Sequence, residues 1–178
     1  QRRQTGILMM SGVSGELEPE GGQFNFDHDN REPPPKGQDT LGVEAPWYPV
    51  EDEIDREVRE YLDGLEASGE VRFLGADGPR LFPATRAEAV EALDHFVSTR
   101  LATFGPHEDA AMQGDWAMSH SLLSPALNLG LLDPREVVER VEASYQRGEV
   151  ELASAEGFIR QVMGWRDWVW HLYWHLGP

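Results

Sequence analysis

From residue 50 onward, apolar positions return with a helical period. In "VEDEIDREVREYLDGLEAS", Ile54, Val58, Leu62 and Leu65 recur at spacings of three and four, which predicts an amphipathic helix over 50–68 with a strongly acidic outer face. The "VRFLG" that follows reads as a short extended piece before a turn at Asp77 and Gly78. Thr85 and Glu88 then form a capping-box pair that satisfies free backbone N–H groups at a helix start, and Val90, Leu93, Val97 and Leu101 supply that helix with a buried stripe. Beyond a loop at Gly105 and Pro106, "MSHSLLSPALNLGLL" reads as a short, mostly buried helix ended by Gly130. Asp133 and Pro134 open a further helix through about Arg147, with Gly148 just past its end. Ser154 is placed as the cap of a last helix that runs into a Trp-rich end. Residues 1–46 carry Gly and Pro clusters such as "SGELEPEGG" and "REPPPKG" and no period, so they read as an irregular linker. The fold class expected is mainly α, with short connections and almost no strand.

Composition narrows this picture. A chain of 178 residues with 40% apolar and 10% aromatic content can bury a single core. No apolar run approaches the roughly 20 residues needed to span a bilayer, and no signal-peptide pattern is seen, so a cytoplasmic protein is expected, with no membrane partner. The absence of cysteine excludes disulfides and thiolate metal sites within these residues. A net charge of −17 argues against a surface that embraces nucleic acid all round. Any DNA docking needs a local basic face, for which Arg100, Arg135, Arg140, Arg147 and Arg160 are the candidates. The chain opens on Gln1 and closes on "VWHLYWHLGP", and both ends read as cuts from a longer polypeptide.

Three constellations carry candidate chemistry. Ser119, His120, Ser121 and Ser124 cluster near a predicted helix start, where hydroxyl and amide groups suit a phosphate or diphosphate; serines that merely cap a helix are the alternative. Trp165, Trp168, Trp170 and Trp174 crowd one helix with Arg166 and Asp167 among them. That density suits a flat aromatic ligand, but an aromatic stripe at helical spacing is more often core, here a helix buried on all sides by neighbours. His171 and His175 share the four-residue spacing of a two-histidine metal site, without the acid of an HExxH pattern. Asp27, His28 and Asp29 read as a solvated turn rather than a calcium loop.

The segments "RLATFGPHEDAAMQGDWAMSHSLLSPALNLGLLDPREVV" and "EGFIRQVMGWRDWVWHLYW", with "TGILM" and "GGQFNFDHDNREPPP" upstream, resemble one family. They look like the prokaryotic photolyase-related branch of the photolyase and cryptochrome family, the iron–sulfur bacterial cryptochromes and photolyases. The resemblance implies that residues 1–46 are the end of an α/β antenna domain and a linker, and that 47–178 are the N-terminal part of a helical domain that binds FAD. It implies that His120, Ser121, Leu122, Leu123 and Ser124 cradle the diphosphate. It also implies that Trp165 and Arg166, with Gln161 one turn earlier, line the flavin pocket.

The better-known photolyases carry a Tyr where this chain has Phe104 and an acidic residue near Val162. These departures point away from cyclobutane-dimer repair and towards (6-4) photoproduct repair of UV-damaged DNA, in which light-excited flavin gives an electron to the lesion. A cryptochrome-like photoreceptor is the alternative. No catalytic residue is expected within these residues. The family's iron–sulfur cysteines, antenna chromophore site and lesion-contacting histidine are expected elsewhere in the parent protein, which is expected to be monomeric.

Overall fold

The computed structural model describes residues 10–11, 18–75 and 77–177. The segment "TGILM" lies outside them. Strands β1 (Met10–Ser11) and β2 (Glu18–Pro19) form a two-residue antiparallel pair, and the rest is helix and connection. The helices are α1 (Glu53–Ser68), α2 (Arg86–Thr99), α3 (Leu101–Phe104), α4 (Ser124–Asn128), α5 (Pro134–Gln146) and α6 (Leu152–Leu176). The mainly α class is as expected.

Local chemistry sets these boundaries. Asp52 caps α1 through the amides of Ile54 and Asp55, and Thr85 caps α2 through Glu88, whose carboxylate returns to the Thr85 amide. The Asp133 side chain accepts from the Arg135 amide at 2.7 Å, Pro134 opens α5, and Gly148 takes the left-handed turn after it at φ 73. The core forms where α5 and α6 pack together and α2 and α3 close over them. At its centre, Phe158 of α6 lies 4.7 Å from Phe96 of α2 and 5.3 Å from Phe104 of α3, ring centre to ring centre. Val137, Val138 and Val141 of α5 and Leu93 of α2 complete it, all fully buried. Ala89, Ala92 and Phe96 share the buried side of α2 with Leu93, whereas Val90 and Val97 are only partly covered.

Several expectations give way. Residues 71–75 form no strand. Helix α1 buries none of its residues; Ile54 is 67% and Val58 50% exposed, and of the predicted stripe only Leu65 is partly covered. Polar groups hold α1 instead: Arg80 bridges Asp55 of α1 and Glu88 of α2 with bonds of 2.7–3.1 Å. Ser154 does not cap α6, which starts at Leu152 after Glu151. Its buried hydroxyl accepts from the Gly105 amide at 3.0 Å and donates to the Ala102 carbonyl at 3.3 Å, joining α6 to the end of α3.

Within the segment read as irregular linker, residues 20–46 form a strap fastened at many points. Tyr145 donates to the Glu20 carboxylate, the Phe26 amide to Glu156, the Asn30 side chain to the Ala153 carbonyl and the Glu32 amide to the Pro106 carbonyl. Further on, the Leu41 amide donates to Asp115, Arg100 donates to the Glu44 carbonyl, and Trp47 packs on the core. The Phe26 ring lies against Gly21, where a Cβ would meet it at 2.7 Å and Leu152 at 2.6 Å. A left-handed φ of 70 at Gly21 meets the same need for glycine.

Candidate functional site

A cleft of about 590 Å³ opens between the middle of α6, the loop after α3 and the turn leading into α4. Such a volume lies in the range of roughly 300–1,000 Å³ usual for ligand sites. Its walls include His120, Ser121, Leu122, Ser124, Gln161, Trp165 and Arg166. Of the eight residues that the resemblance implies as cofactor contacts, only Leu123 is elsewhere, 1% exposed within the core.

The serine turn differs from the helix start expected of it. Helix α4 begins only at Ser124 and spans five residues, with Leu123 before it supplying no side-chain cap. A helix so short adds little dipole, so any anion there is held by hydroxyls, amides and cations directly. Ser119 is buried and bonds Thr103 at 2.9 Å, so it faces away from the cleft. Ser121 and Ser124 remain on the wall. The turn is held in an unusual shape: Met118 and Leu122 take φ of 43 and 57, the left-handed region that side chains rarely adopt.

His120 bonds the Glu108 carbonyl through Nε2 at 3.2 Å. A carbonyl only accepts, so Nε2 carries the proton, and Nδ1 is an acceptor in the neutral ring. Phe104 meets the His120 ring edge-on at 6.2 Å and fixes its plane. On α6, residues 158, 161, 162 and 165 share one face at helical spacing, which brings Phe158, Gln161, Val162 and Trp165 to the cleft together. The Trp165 indole donates to the Gln161 side-chain oxygen at 3.0 Å. Arg166 gives one N–H to the Val162 carbonyl at 2.6 Å, and burial lowers the pKa of its guanidinium from the ordinary value without discharging it.

Part of the cleft lining is acidic, and the sequence reading missed it. Glu108 and Asp109 line it, and the Glu108 side chain is only 3% exposed, with no hydrogen-bond partner on either oxygen. Arg160 approaches it at 3.5 Å, while burial pushes the Glu108 carboxyl upward. Oxygens of Asp27, Glu108 and Asp109 come within 4.8 Å of one another, a donor set suited to a hard divalent cation. Asp27 is therefore not the solvated turn expected, since Arg31 and Arg160 both pair with it. His171 and His175 lie outside this cluster of potential ligands among the described residues.

Beyond Arg166 the cleft runs into an aromatic trough of about 870 Å³ along α6, walled by Trp165, Val169, Trp170, Tyr173 and Trp174. The Trp-rich stripe is thus not core: Trp165, Trp168, Trp170 and Trp174 are all more than half exposed. The expected basic face is absent from the residues proposed for it. Arg135, Arg140, Arg147 and Arg160 each pair with a carboxylate, and Arg100 is inside the fold.

Fold and cleft together define a helical domain with a ligand-sized cleft lined by polar and aromatic side chains. Residues 1–71 match the sequence family described as deoxyribodipyrimidine photo-lyase-related protein. The chain is 38% identical over 179 residues to a (6-4) photolyase of Agrobacterium fabrum, an alignment that covers 99% of this chain and 32% of that protein. A stretch of 68 residues, 38% of this chain, is 40% identical to an uncharacterised protein of Acanthamoeba polyphaga mimivirus, covering 52% of it. Both similarities point to the photolyase-related family. It spans 32% of the length of its Agrobacterium relative.

Proposed function

We propose that this chain is part of a flavin-dependent, light-driven DNA repair enzyme, a (6-4) photolyase acting on UV-damaged DNA, and that it supplies one wall of the FAD site. In this reading residues 1–46 close an antenna domain and lead out of it, and residues 47–178 begin the helical FAD-binding domain. The observation that carries the reading is the gathering of His120, Ser121, Leu122, Ser124, Gln161, Trp165 and Arg166 on one cleft.

The residues fit the cofactor's chemistry. Ser121 and Ser124 offer hydroxyls, and Arg166 offers a cation to the diphosphate. The Trp165 ring and the exposed aromatics beyond it offer flat surfaces to a ring system, and Phe104, Phe158 and Val162 keep water from the cleft floor. Bound there, FAD would supply the light-driven electron transfer. The chain's own part is to bind, orient and shield.

The parent protein is read as a cytoplasmic monomer with an iron–sulfur cluster and an antenna chromophore held outside these residues. Among the described residues no helix is long and apolar enough to cross a membrane. The similarity to a (6-4) photolyase supports repair over the alternative role, a photoreceptor without repair. Two measurements test this. Purified full-length protein incubated with FAD and desalted should retain flavin absorption at about 350–500 nm, and under blue light it should restore an oligonucleotide carrying a (6-4) lesion. A full-length protein that binds no flavin overturns the assignment. One that binds flavin and repairs nothing moves it to the photoreceptor.

A further inference from the structure

Arg100 occupies the break between α2 and α3, and its side chain points into the protein, 2% exposed. A buried guanidinium ordinarily meets a carboxylate, because an unpaired buried charge is expensive. Arg100 meets three backbone carbonyls instead. NH1 donates to Glu44 at 2.6 Å, Nε to His120 at 3.3 Å and NH2 to Met118. Asp115 is the acid whose charge acts on it, but the Asp115 oxygens already accept from the amides of Met118 at 2.7 Å and Leu41 at 3.2 Å. A full positive charge is therefore held inside the fold by carbonyl dipoles, with the Asp115 charge acting on it without a direct hydrogen bond.

Its position gives that charge a use. Ser121 and Leu122 line the ligand cleft, and the same two residues line a small void shared with Arg100. They are the partition between the cleft and the cation. Two of the three carbonyls it holds, those of Met118 and His120, belong to the same turn, on either side of Ser119. The fork thus keeps the turn in the strained shape that sets Ser121 on the wall.

We propose that Arg100 is the positioning residue and buried counter-charge of the serine turn, giving this wall of the cleft its preference for a ligand phosphate. The proposal rests on the flavin reading above and deepens it. Ser121, Ser124 and Arg166 are then the anion-accepting groups of the cleft wall, with Arg100 behind Ser121 and Leu122. No atom of Arg100 need touch the ligand; it acts through the turn and through its field, which a dry interior screens weakly.

The test compares two flavins on the full-length apoprotein, FAD with its diphosphate and riboflavin with none, in wild type, Arg100→Lys, Arg100→Gln and Arg100→Met. Loss of the charge in Arg100→Gln and Arg100→Met should weaken FAD about tenfold or more, about 1.4 kcal/mol, while riboflavin changes far less. Arg100→Lys, which keeps the charge and loses the fork, should recover part of the FAD affinity. Equal loss for both flavins reduces Arg100 to a fold brace and overturns the proposal, as does no loss for either. Should Arg100→Met fail to fold, the ratio of FAD to riboflavin affinity in Arg100→Lys and Arg100→Gln decides alone. A wild-type protein that binds neither flavin removes the functional reading itself, an outcome distinct from wild-type binding with an unchanged ratio in the variants.

Discussion

Replacing Arg80 with Met should detach α1 without unfolding the core. Helix α1 buries none of its own residues, and the Arg80 guanidinium is the bridge between it and the start of α2. Arg80, Asp55 and Glu88 are only 20%, 16% and 19% exposed, and the geometry is forked on both sides. Exposed ion pairs contribute about 0–1 kcal/mol, whereas hydrogen bonds to charged groups reach about 1.5–3 kcal/mol. Taking the pairs as half-buried and non-additive gives roughly 2–4 kcal/mol for the whole bridge. Met keeps the apolar stem, so the loss is electrostatic. Amide hydrogen exchange read by mass spectrometry should show α1 exchanging about 30-fold faster or more. The amides of α5 and the inner half of α6 should keep their protection. If α1 and α5 lost protection together, or α1 kept its own, α1 would not be an appendage held by charge.

Acid should act on the same bridge. Arg80 and the amides of Ala84 and Thr85 hold the Glu88 carboxyl at about 2 against an ordinary 4.5, so its contribution is complete above pH 4.5 and lost as the pH falls towards 2. That loss should be roughly 1–2 kcal/mol after allowance for solvent, and a stability–pH curve of Arg80→Met should lack it. Phe158→Ala should cost about 3–5 kcal/mol by opening a cavity between Phe96 and Phe104; thermal melts followed by circular dichroism measure it, and a loss under 1 kcal/mol would contradict the packing. Ser154→Ala should cost about 1–3 kcal/mol, because the buried Gly105 amide loses its acceptor; Ser154→Thr, which keeps a hydroxyl, tests whether the oxygen or the small volume matters.

What the sequence made legible was whatever short-range chemistry decides. The Thr85 and Glu88 box and the Asp133, Pro134 and Gly148 signals mark ends of α2 and α5 because caps act within four residues. Ser154 misled for the same reason: a serine near a helix start looks like a cap, and only the fold reveals that its hydroxyl serves Gly105, 49 residues away. The exposed stripes of α1 and outer α6 have the period of buried ones, since periodicity reports an apolar face and not what lies against it. In the cleft, the serine turn and the face of Gln161 and Trp165 were legible from motif and spacing. Glu108, Asp27 and Arg100 were not, because each draws its meaning from partners far along the chain, Arg160 for the first two and the Glu44 carbonyl for the third. The i, i+3 relation of Phe158 to Gln161 and of Val162 to Trp165 was the one unused signal that pointed to more of the wall.

The aromatic half of α6 also decides what this protein looks like in a fluorimeter. Four of its six tryptophans sit there, Trp116 is exposed too, and the core contains phenylalanines and no tryptophan, with Trp47 only leaning on its edge. Ultraviolet emission from the chain is therefore dominated by indoles that already meet solvent in the native state. Denaturation will barely move that signal, while anything that settles on the trough, a flavin or a neighbouring helix, will quench or shift it strongly. Tryptophan emission here is a reporter of what covers α6 rather than of whether the protein is folded.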